Sequence, residues 1–453
     1  MKKLHELRVP SCVRFLLSVL PLLALAHLAP AEQDGAKVLF DFEKDALGEG
    51  WTAGGDIRAS REPAVGEGAS GQALRLAAGG SGGVYTKPAG VPADWSEFSY
   101  VTFRACPVLA AGDAPVVMEV QVLEGDGRTR FWRKIELARG GWQSVEVRLA
   151  AMRWSAGRVP QWDAVSRLGF YLRSKGEVWI DDVAVRPAGP RAAQWSPKEL
   201  ALLAFGADRA GKIRPLANTD LLLLSDAAEL DADKLAAHLA RVAQAVYADF
   251  PQARARRAPV GLLVFADRKE YQDFTLRLAN ELASQATAPK SDGYTLQGIA
   301  TSYYHPQAGT LRPTYTHEYV HALLGRTLRL QNSGEWLQEG LAVRYQLRFH
   351  PQANVGEIIR QGLGDANFRL PPATLCNGRS VPMNRYWQAM TVVDMLLGHE
   401  RYSKRVPALL EAISKAGSTD LGPHLQPVLE TSWEHLEADW RLWCEKKYQE
   451  RNR

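Results

Sequence analysis

Apolar positions fall into two regimes along the chain. Between residues 36 and 187 they form short alternating or apolar runs at 37–42, 73–76, 100–104, 116–123, 130–137, 144–149, 169–173 and 178–185. Gly, Pro and Asp clusters separate these runs, a spacing that predicts a β-sandwich. The segment 128–148, centred on Arg139-Gly140-Gly141, reads as a hairpin. From about residue 213 the period changes. Residues 219–225 and 260–265 read as strands, and 293–304 as a strand leading into the next helix. In 231–250, Leu235, Leu239, Val242, Val246 and Phe250 recur every three or four residues, which predicts a helix, and 269–283 reads as another. After residue 339 helices are expected at 386–397, 406–416 and 432–447, with Val428, Trp433, Leu436, Trp440 and Trp443 as the core of a closing lobe. Residues 186–200 are rich in Pro and Ala, lack a period, and read as linker.

Length and composition adjust this picture modestly. At 453 residues the chain exceeds one ordinary domain, and 46% hydrophobic with 23% charged residues is globular. The formal charge of +5 is concentrated at the start, where Lys2, Lys3, Arg8 and Arg14 oppose only Glu6. The remainder is nearly balanced, so neither nucleic acid nor an acidic membrane surface is an expected partner. A basic start, an apolar run over 15–28 and Ala29-Pro30-Ala31 resemble a secretory signal peptide, so the mature chain is expected to be secreted or periplasmic, without a stable membrane span. An uncleaved anchor is the competing reading of that run. Export permits a disulfide between Cys376 and Cys444; three buried thiols, with Cys106, are the equal alternative.

The chemistry is concentrated in 313–340. His317-Glu318-Tyr319-Val320-His321 fits H-E-x-x-H: residues four apart share a helical face, so both imidazoles can meet one Zn²⁺, with Glu318 beside it to take a proton from water. Pro313 suits the first turn of that helix and Gly325 its end. A catalytic zinc usually takes three protein ligands. After a turn at Gln331-Asn332-Ser333-Gly334, a second helix from about Glu335 offers Glu339 as the third, and Glu335, on the same face, is its rival. Tyr386 is the candidate donor to the developing oxyanion; packing at a helix start is an equally good account of it. Tyr303, Tyr304, His305 and Tyr345 are weaker candidates.

His317, Glu318, His321 and the W-L-x-E-G-x-A run from Trp336 to Ala342 resemble gluzincin metallopeptidases of the peptidase MA clan, closest to a bacterial branch of uncharacterised domains. The resemblance covers roughly 215–445 and implies one catalytic zinc on His317, His321 and Glu339, Glu318 as general base, and a peptide or protein substrate. It also implies that the strand before the zinc helix binds extended substrate by strand addition. The metzincin pattern fails, because Leu324 and Thr327 stand where it needs Gly and His. Aminopeptidases of the clan carry an acidic Gly-x-Met-Glu-Asn type motif upstream; 293–305 contains no acidic residue, so an endopeptidase is expected.

The opening Leu39-Phe40-Asp41-Phe42-Glu43 and the closing Trp179-Ile180-Asp181-Asp182-Val183 together resemble jelly-roll domains of the carbohydrate-binding and galactose-binding-like type. That resemblance implies a glycan- or surface-binding role, with Trp51, Trp95, Trp132, Trp142, Trp154 and Trp162 as candidate stacking platforms. It also allows a structural Ca²⁺ on Asp41, Glu43 or Asp182; solvated strand ends are the competing reading of these acids. The expected fold class is multidomain: a signal peptide (1–31), an all-β jelly-roll sandwich (32–187), a linker (188–212) and an α+β zincin-type peptidase domain with a helical C-terminal lobe (213–453). The alternative function is a non-catalytic secreted glycan- or protein-binding protein that retains a peptidase-like fold.

Overall fold

A computed structural model of the protein describes residues 35–43, 50–109, 114–125, 127, 129–154, 158–187, 194–282, 289–352 and 355–449. The signal-peptide reading of 1–31 lies outside them. Ala36–Arg453 forms one compact unit.

Ten strands build the N-terminal region: β1 (Lys37–Phe40), β2 (Trp51–Pro63), β3 (Gln72–Thr86), β4 (Tyr100–Pro107), β5 (Val116–Glu124), β6 (Arg130–Leu137), β7 (Gln143–Arg148), β8 (Arg153–Trp154), β9 (Val165–Leu172) and β10 (Gly176–Arg186). Their order is β7-β4-β10-β3-β9-β5-β6-β8, with β1 on β10 and β2 on β3, and every pairing is antiparallel. The sheet folds over itself at β3. Its first half pairs β10 through Leu74–Ala78 positions, and its second half pairs β9 through Gly82–Tyr85 positions. On β2, Gly54 and Gly55 pair Gly83 and Gly82, and the register slips between Gly55 and Ile57, opposite the glycine-rich stretch that joins the two halves. The two layers close on one core that includes Leu74, Val84, Phe103, Val120, Phe131, Phe170 and Ile180.

This is the sandwich that the alternation predicts, with two corrections. The 128–148 segment is not a hairpin: β6 pairs β5 and β8, whereas β7 pairs β4 at the far end of the strand order. The Gly140-Gly141 turn therefore crosses between layers. β2 was hidden from the pattern because WTAGGDIRASREP carries glycines and charges through a mostly exposed strand.

The C-terminal region is built on a five-stranded sheet of β11 (Leu216–Ala217), β12 (Leu221–Ser225), β13 (Val260–Phe265), β14 (Gly293–Leu296) and β15 (Ile299–Tyr303), ordered β11-β12-β13-β15-β14. The central three strands are parallel and mainly buried, largely apolar runs, as strands covered on both faces require, with Thr301 and Ser302 the buried polar exceptions on β15. The region is thus a layered mixed sheet, closer to α/β than the expected α+β. Residues 293–304 form two strands rather than one, and β14, antiparallel to β15, is an edge strand of the sheet among the described residues.

Helix α1 (Pro197–Phe205) lies where a linker is expected. Ser196 and Glu199 form a capping box with Pro197 at the first position, and Leu200 and Phe205 pack on β12 and β13. Helices α2 (Ala232–Asp249) and α3 (Arg268–Leu282) cover opposite faces of the sheet. α4 (Pro313–Thr327) runs on past Gly325, and α5 (Trp336–Phe349) follows a turn at Gly334. α6 (Tyr386–Gly398), α7 (Val406–Ala416) and α8 (Trp433–Cys444) close the lobe around Trp387, Leu436 and Trp440.

Cys106, Cys376 and Cys444 are buried free thiols, so the Cys376–Cys444 bridge is not made. Cys376 caps a short turn at Pro372–Leu375, while the Cys444 thiol is turned toward Thr391. No helix among the described residues is long and apolar enough to cross a membrane.

Candidate metal centre

Packing holds α4 in place before any ligand is considered. Tyr315 donates to the Tyr303 carbonyl (2.9 Å) and Tyr319 to the Asp220 carbonyl (3.1 Å), which pins the inner face of the helix to the sheet. His317 and His321, one turn apart, then face α5. Glu339 sits in the first turn of α5, whose start is fixed by Trp336 Nε1 donating to the Thr419 carbonyl (2.8 Å).

The structure brings His317, His321 and Glu339 together, the one such group of His, Cys, Asp and Glu side chains among the described residues. The two Nε2 atoms are 3.0 Å apart, and Glu339 Oε2 lies 3.3 Å from that of His317 and 3.5 Å from that of His321. Donors about 2.0–2.1 Å from a tetrahedral zinc stand about 3.3–3.4 Å from one another, so this triangle has the size of a zinc shell. Glu339 Oε2 is buried and lacks a hydrogen-bond donor of normal geometry. A cation is what this oxygen needs.

The far side of each imidazole explains why. His317 Nδ1 is 3.0 Å from Gln346 Oε1, and His321 Nδ1 is 3.1 Å from Gln338 Oε1. The Gln338 amide is itself oriented by donation from Nε2 to the Leu330 carbonyl (3.4 Å). Acceptors at Nδ1 hold a proton there and turn both Nε2 atoms toward each other and toward Glu339, where a proton or a metal ion can sit. Such a cluster attracts positive charge. Burial opposes a charge on His321, but the Glu339 carboxylate beside it prevails and its pKa is pushed up to about 9. Burial likewise works against ionised Glu339, yet His321 and His317 hold its carboxyl well below the usual range. Two imidazole nitrogens and one carboxylate oxygen form a donor set that suits zinc.

Glu318 is buried beside this group. Thr295 on β14 donates to its Oε2 (2.7 Å), and burial pushes its carboxyl upward against the pull of both histidines and of Thr295. Gly293, also on β14, lies so close that a Cβ there would fall 2.5 Å from Glu318 Cγ. Tyr386 stacks over His317, with ring centroids 6.4 Å apart and planes 14° from parallel. Its phenol lies against Glu339, and burial, then that carboxylate, raises its pKa, so it stays protonated.

Glu335 is not in the triangle. It ends the turn before α5, with Oε2 accepting from the Ser333 backbone N–H (3.0 Å), and burial raises its pKa to about 7. Tyr345 points away, donating to Asp249 (2.8 Å), and Tyr303 donates to Asp292 (2.9 Å). Gln338, Gln346 and Thr295 escape a motif reading. Gln346 lies seven residues after Glu339, two helical turns on, which is the signal that could have found it.

In the β-domain, Trp51, Trp95, Trp154 and Trp162 are buried, leaving Trp132 and Trp142 as partly exposed candidates. Asp41 accepts from the Glu43 N–H (3.1 Å), Glu43 from the Gln72 N–H (2.9 Å), and Asp182 stands 3.5 Å from Arg104. These three acids form no shared cluster.

No protein-family model matches the sequence, and no curated protein matches it. Solved structures show partial likeness. The family 11 carbohydrate-binding module of the Clostridium thermocellum cellulase Lic26A-Cel5E is 17% identical over 34% of this chain and 95% of that module, with a TM-score of 0.27. The CBM22-1 xylan-binding domain of Paenibacillus barcinonensis Xyn10C is 18% identical over 34% and 95%, with a TM-score of 0.25. An exo-β-agarase is 20% identical over 34% of this chain and 26% of that one, with a TM-score of 0.28.

Proposed function

We propose that this chain is a secreted, zinc-dependent metallopeptidase. One observation carries the reading: the buried, orphaned Glu339 Oε2 converges with two imidazole Nε2 atoms at zinc spacing, directly beside Glu318. His317, His321 and Glu339 would hold a zinc ion, which supplies Lewis-acid chemistry when bound.

The chain's own residues account for the rest. Glu318 takes a proton from the attacking water and returns it to the leaving amine nitrogen. Its burial raises its basicity for that task. Tyr386 donates its phenolic hydrogen to the carbonyl oxygen as negative charge builds. Edge strand β14 can add an extended peptide along its outer side, where the Gly293 carbonyl already accepts from Ser291 Oγ (2.6 Å). Asp292, just before β14, is occupied by Arg312, by Arg268 at 3.4 Å and by Tyr303, so it offers no free carboxylate for a substrate amine. That arrangement favours cleavage within a chain over removal of its first residue. The test is hydrolysis of a peptide library by the wild type and by Glu318→Ala; activity lost in the variant supports the reading.

A second reading has its own observation. On β3, β5, β6 and β9 the residues alternating with the core form one face that carries Tyr85, Glu119, Gln121, Trp132 and Tyr171. Tyr85 donates to Gln121 (2.9 Å), Gln121 to Glu119 (2.6 Å), and the Arg153 and Arg173 guanidinium groups lie 5.0 and 5.3 Å from the Trp132 ring centre. An aromatic ring beside a fixed polar floor suits a sugar ring and its hydroxyls. Glycan binding here can accompany catalysis or replace it.

A further inference from the structure

The boundary between the two regions is not a tether. Of the three described non-glycine residues of the C-terminal region with left-handed backbone, Gln297, Arg329 and Glu430, the first two send their side chains into the β-domain. Gln297, at φ 50°, forms with Gly298, at φ 75°, the two-residue turn of the β14–β15 hairpin. Asn, Asp or Gly normally takes such a position, so Gln sits there at a conformational cost. Its amide makes a double bridge to the β-domain: Oε1 accepts from the Trp154 N–H (2.7 Å) and Nε2 donates to the Met152 carbonyl (3.3 Å). Gly298 allows the close approach, since a Cβ there would lie 3.3 Å from the Trp154 ring and 2.7 Å from Arg326. Arg329, at φ 55° just beyond α4, donates to the Val159 carbonyl (3.2 Å), Gln161 (2.8 Å) and Glu124 (2.7 Å).

These two anchors flank the metal centre. Arg329 follows the helix that carries both histidines. Gln297 holds the tip of the hairpin whose other end lies over Glu318, through Gly293 and through Thr295 Oγ1 at 2.7 Å from Glu318 Oε2. We propose that the β-domain is a brace for the active site: Gln297 fixes edge strand β14, and Thr295 on that strand is a positioning residue for the Glu318 carboxylate. The role of Thr295 rests on the metallopeptidase reading; the brace does not.

The experiment is hydrogen–deuterium exchange on the full chain, beside steady-state kinetics and zinc content. In Gln297→Asn the shorter amide tolerates the left-handed turn but cannot reach Met152 and Trp154. The expected result is exchange about tenfold faster across 293–303, with zinc content unchanged. Gln297→Gly, which relieves the backbone and removes the side chain, should behave alike. Unchanged exchange in both variants overturns the brace. Thr295→Val should lower kcat about 10–100-fold with KM and zinc content unchanged, and Thr295→Ser should restore most of it. A crystal structure of Thr295→Val with the Glu318 side chain unmoved overturns the positioning role. A wild type without peptide hydrolysis would remove the metallopeptidase reading, while exchange at 293–303 would still decide the brace.

Discussion

His317 and His321 face each other with their Nε2 atoms 3.0 Å apart, each backed at Nδ1 by a glutamine carbonyl. That spacing accommodates either a shared proton or one zinc ion held with the Glu339 carboxylate. The glutamines orient both rings with Nε2 toward Glu339, so they should matter to metal binding although neither lies in the ligand triangle. Gln338→Leu and Gln346→Leu are each expected to weaken zinc binding about 10–100-fold in chelator competition. Gln338, fully buried and oriented by Leu330, should show the larger loss. Equal affinity in both variants would show that the second contacts are incidental.

Glu318 is assigned chemistry rather than metal binding. Glu318→Gln should keep its zinc and lower kcat/KM by about 10²–10⁴-fold. Joint loss of metal and activity would instead make Glu318 a structural support of the site.

The junction between the two regions should be a strong point. Glu124 is buried and receives Arg158 at 2.7 and 3.1 Å, Arg329 at 2.7 Å and the Gln161 N–H at 2.6 Å. Glu124→Ala leaves two largely buried guanidinium groups without their carboxylate. We expect a loss of about 3–5 kcal/mol by denaturant unfolding. A loss below about 1 kcal/mol, the range of an exposed pair, would mean that the junction is wet and loose.

Stability should also fall in mild acid, through a group behind the metal helix. His238 Nε2 is 2.8 Å from Thr316 Oγ1, which is 2.9 Å from His350 Nε2. The Thr316 hydroxyl has one donor and two acceptor sites, so it can bridge the imidazoles in either protonation state; what opposes their charging is burial and their mutual proximity. Burial, with His350 and Arg241 nearby, lowers the His238 pKa to about 4, and burial lowers that of His350. The unfolded state therefore takes up a proton first. Stability is full above about pH 6.5 and declines by about 1–3 kcal/mol as pH falls toward 4. His238→Phe should flatten that part of the pH–stability curve; an unchanged slope would assign the acid sensitivity elsewhere.

The glycan reading predicts a separable site. Trp132→Ala should abolish retention on an insoluble polysaccharide that binds the wild type, without changing zinc content. Retention of the variant equal to wild type would place any sugar contact elsewhere.

Local period carried much of the architecture. Residues 260–265 and 406–416 match β13 and α7 in full, because each is an uninterrupted apolar or amphipathic run. Features set by tertiary pairing were not legible. The crossing between β6 and β7 looks like a hairpin locally, since a glycine turn does not say which strand its arms will meet. The tip of β14–β15 was read through as one strand, because Gln297 carries none of the usual turn chemistry and is held by the β-domain instead. The capping box at Ser196 and Glu199 was readable but lay inside a Pro-rich stretch. At the metal centre, i,i+4 spacing made the histidine pair legible. Thr295 reaches Glu318 from a strand 23 residues away, a contact that only sheet register creates.

The central claim is the metal centre, and zinc stoichiometry tests it most directly. The wild-type chain, Glu339→Ala and Glu335→Gln should be purified alike, reconstituted with zinc and analysed for metal. We expect about one zinc per chain in the wild type and in Glu335→Gln, and near none in Glu339→Ala. A wild type that retains no zinc, or a Glu339→Ala chain that retains as much as the wild type, would contradict the account.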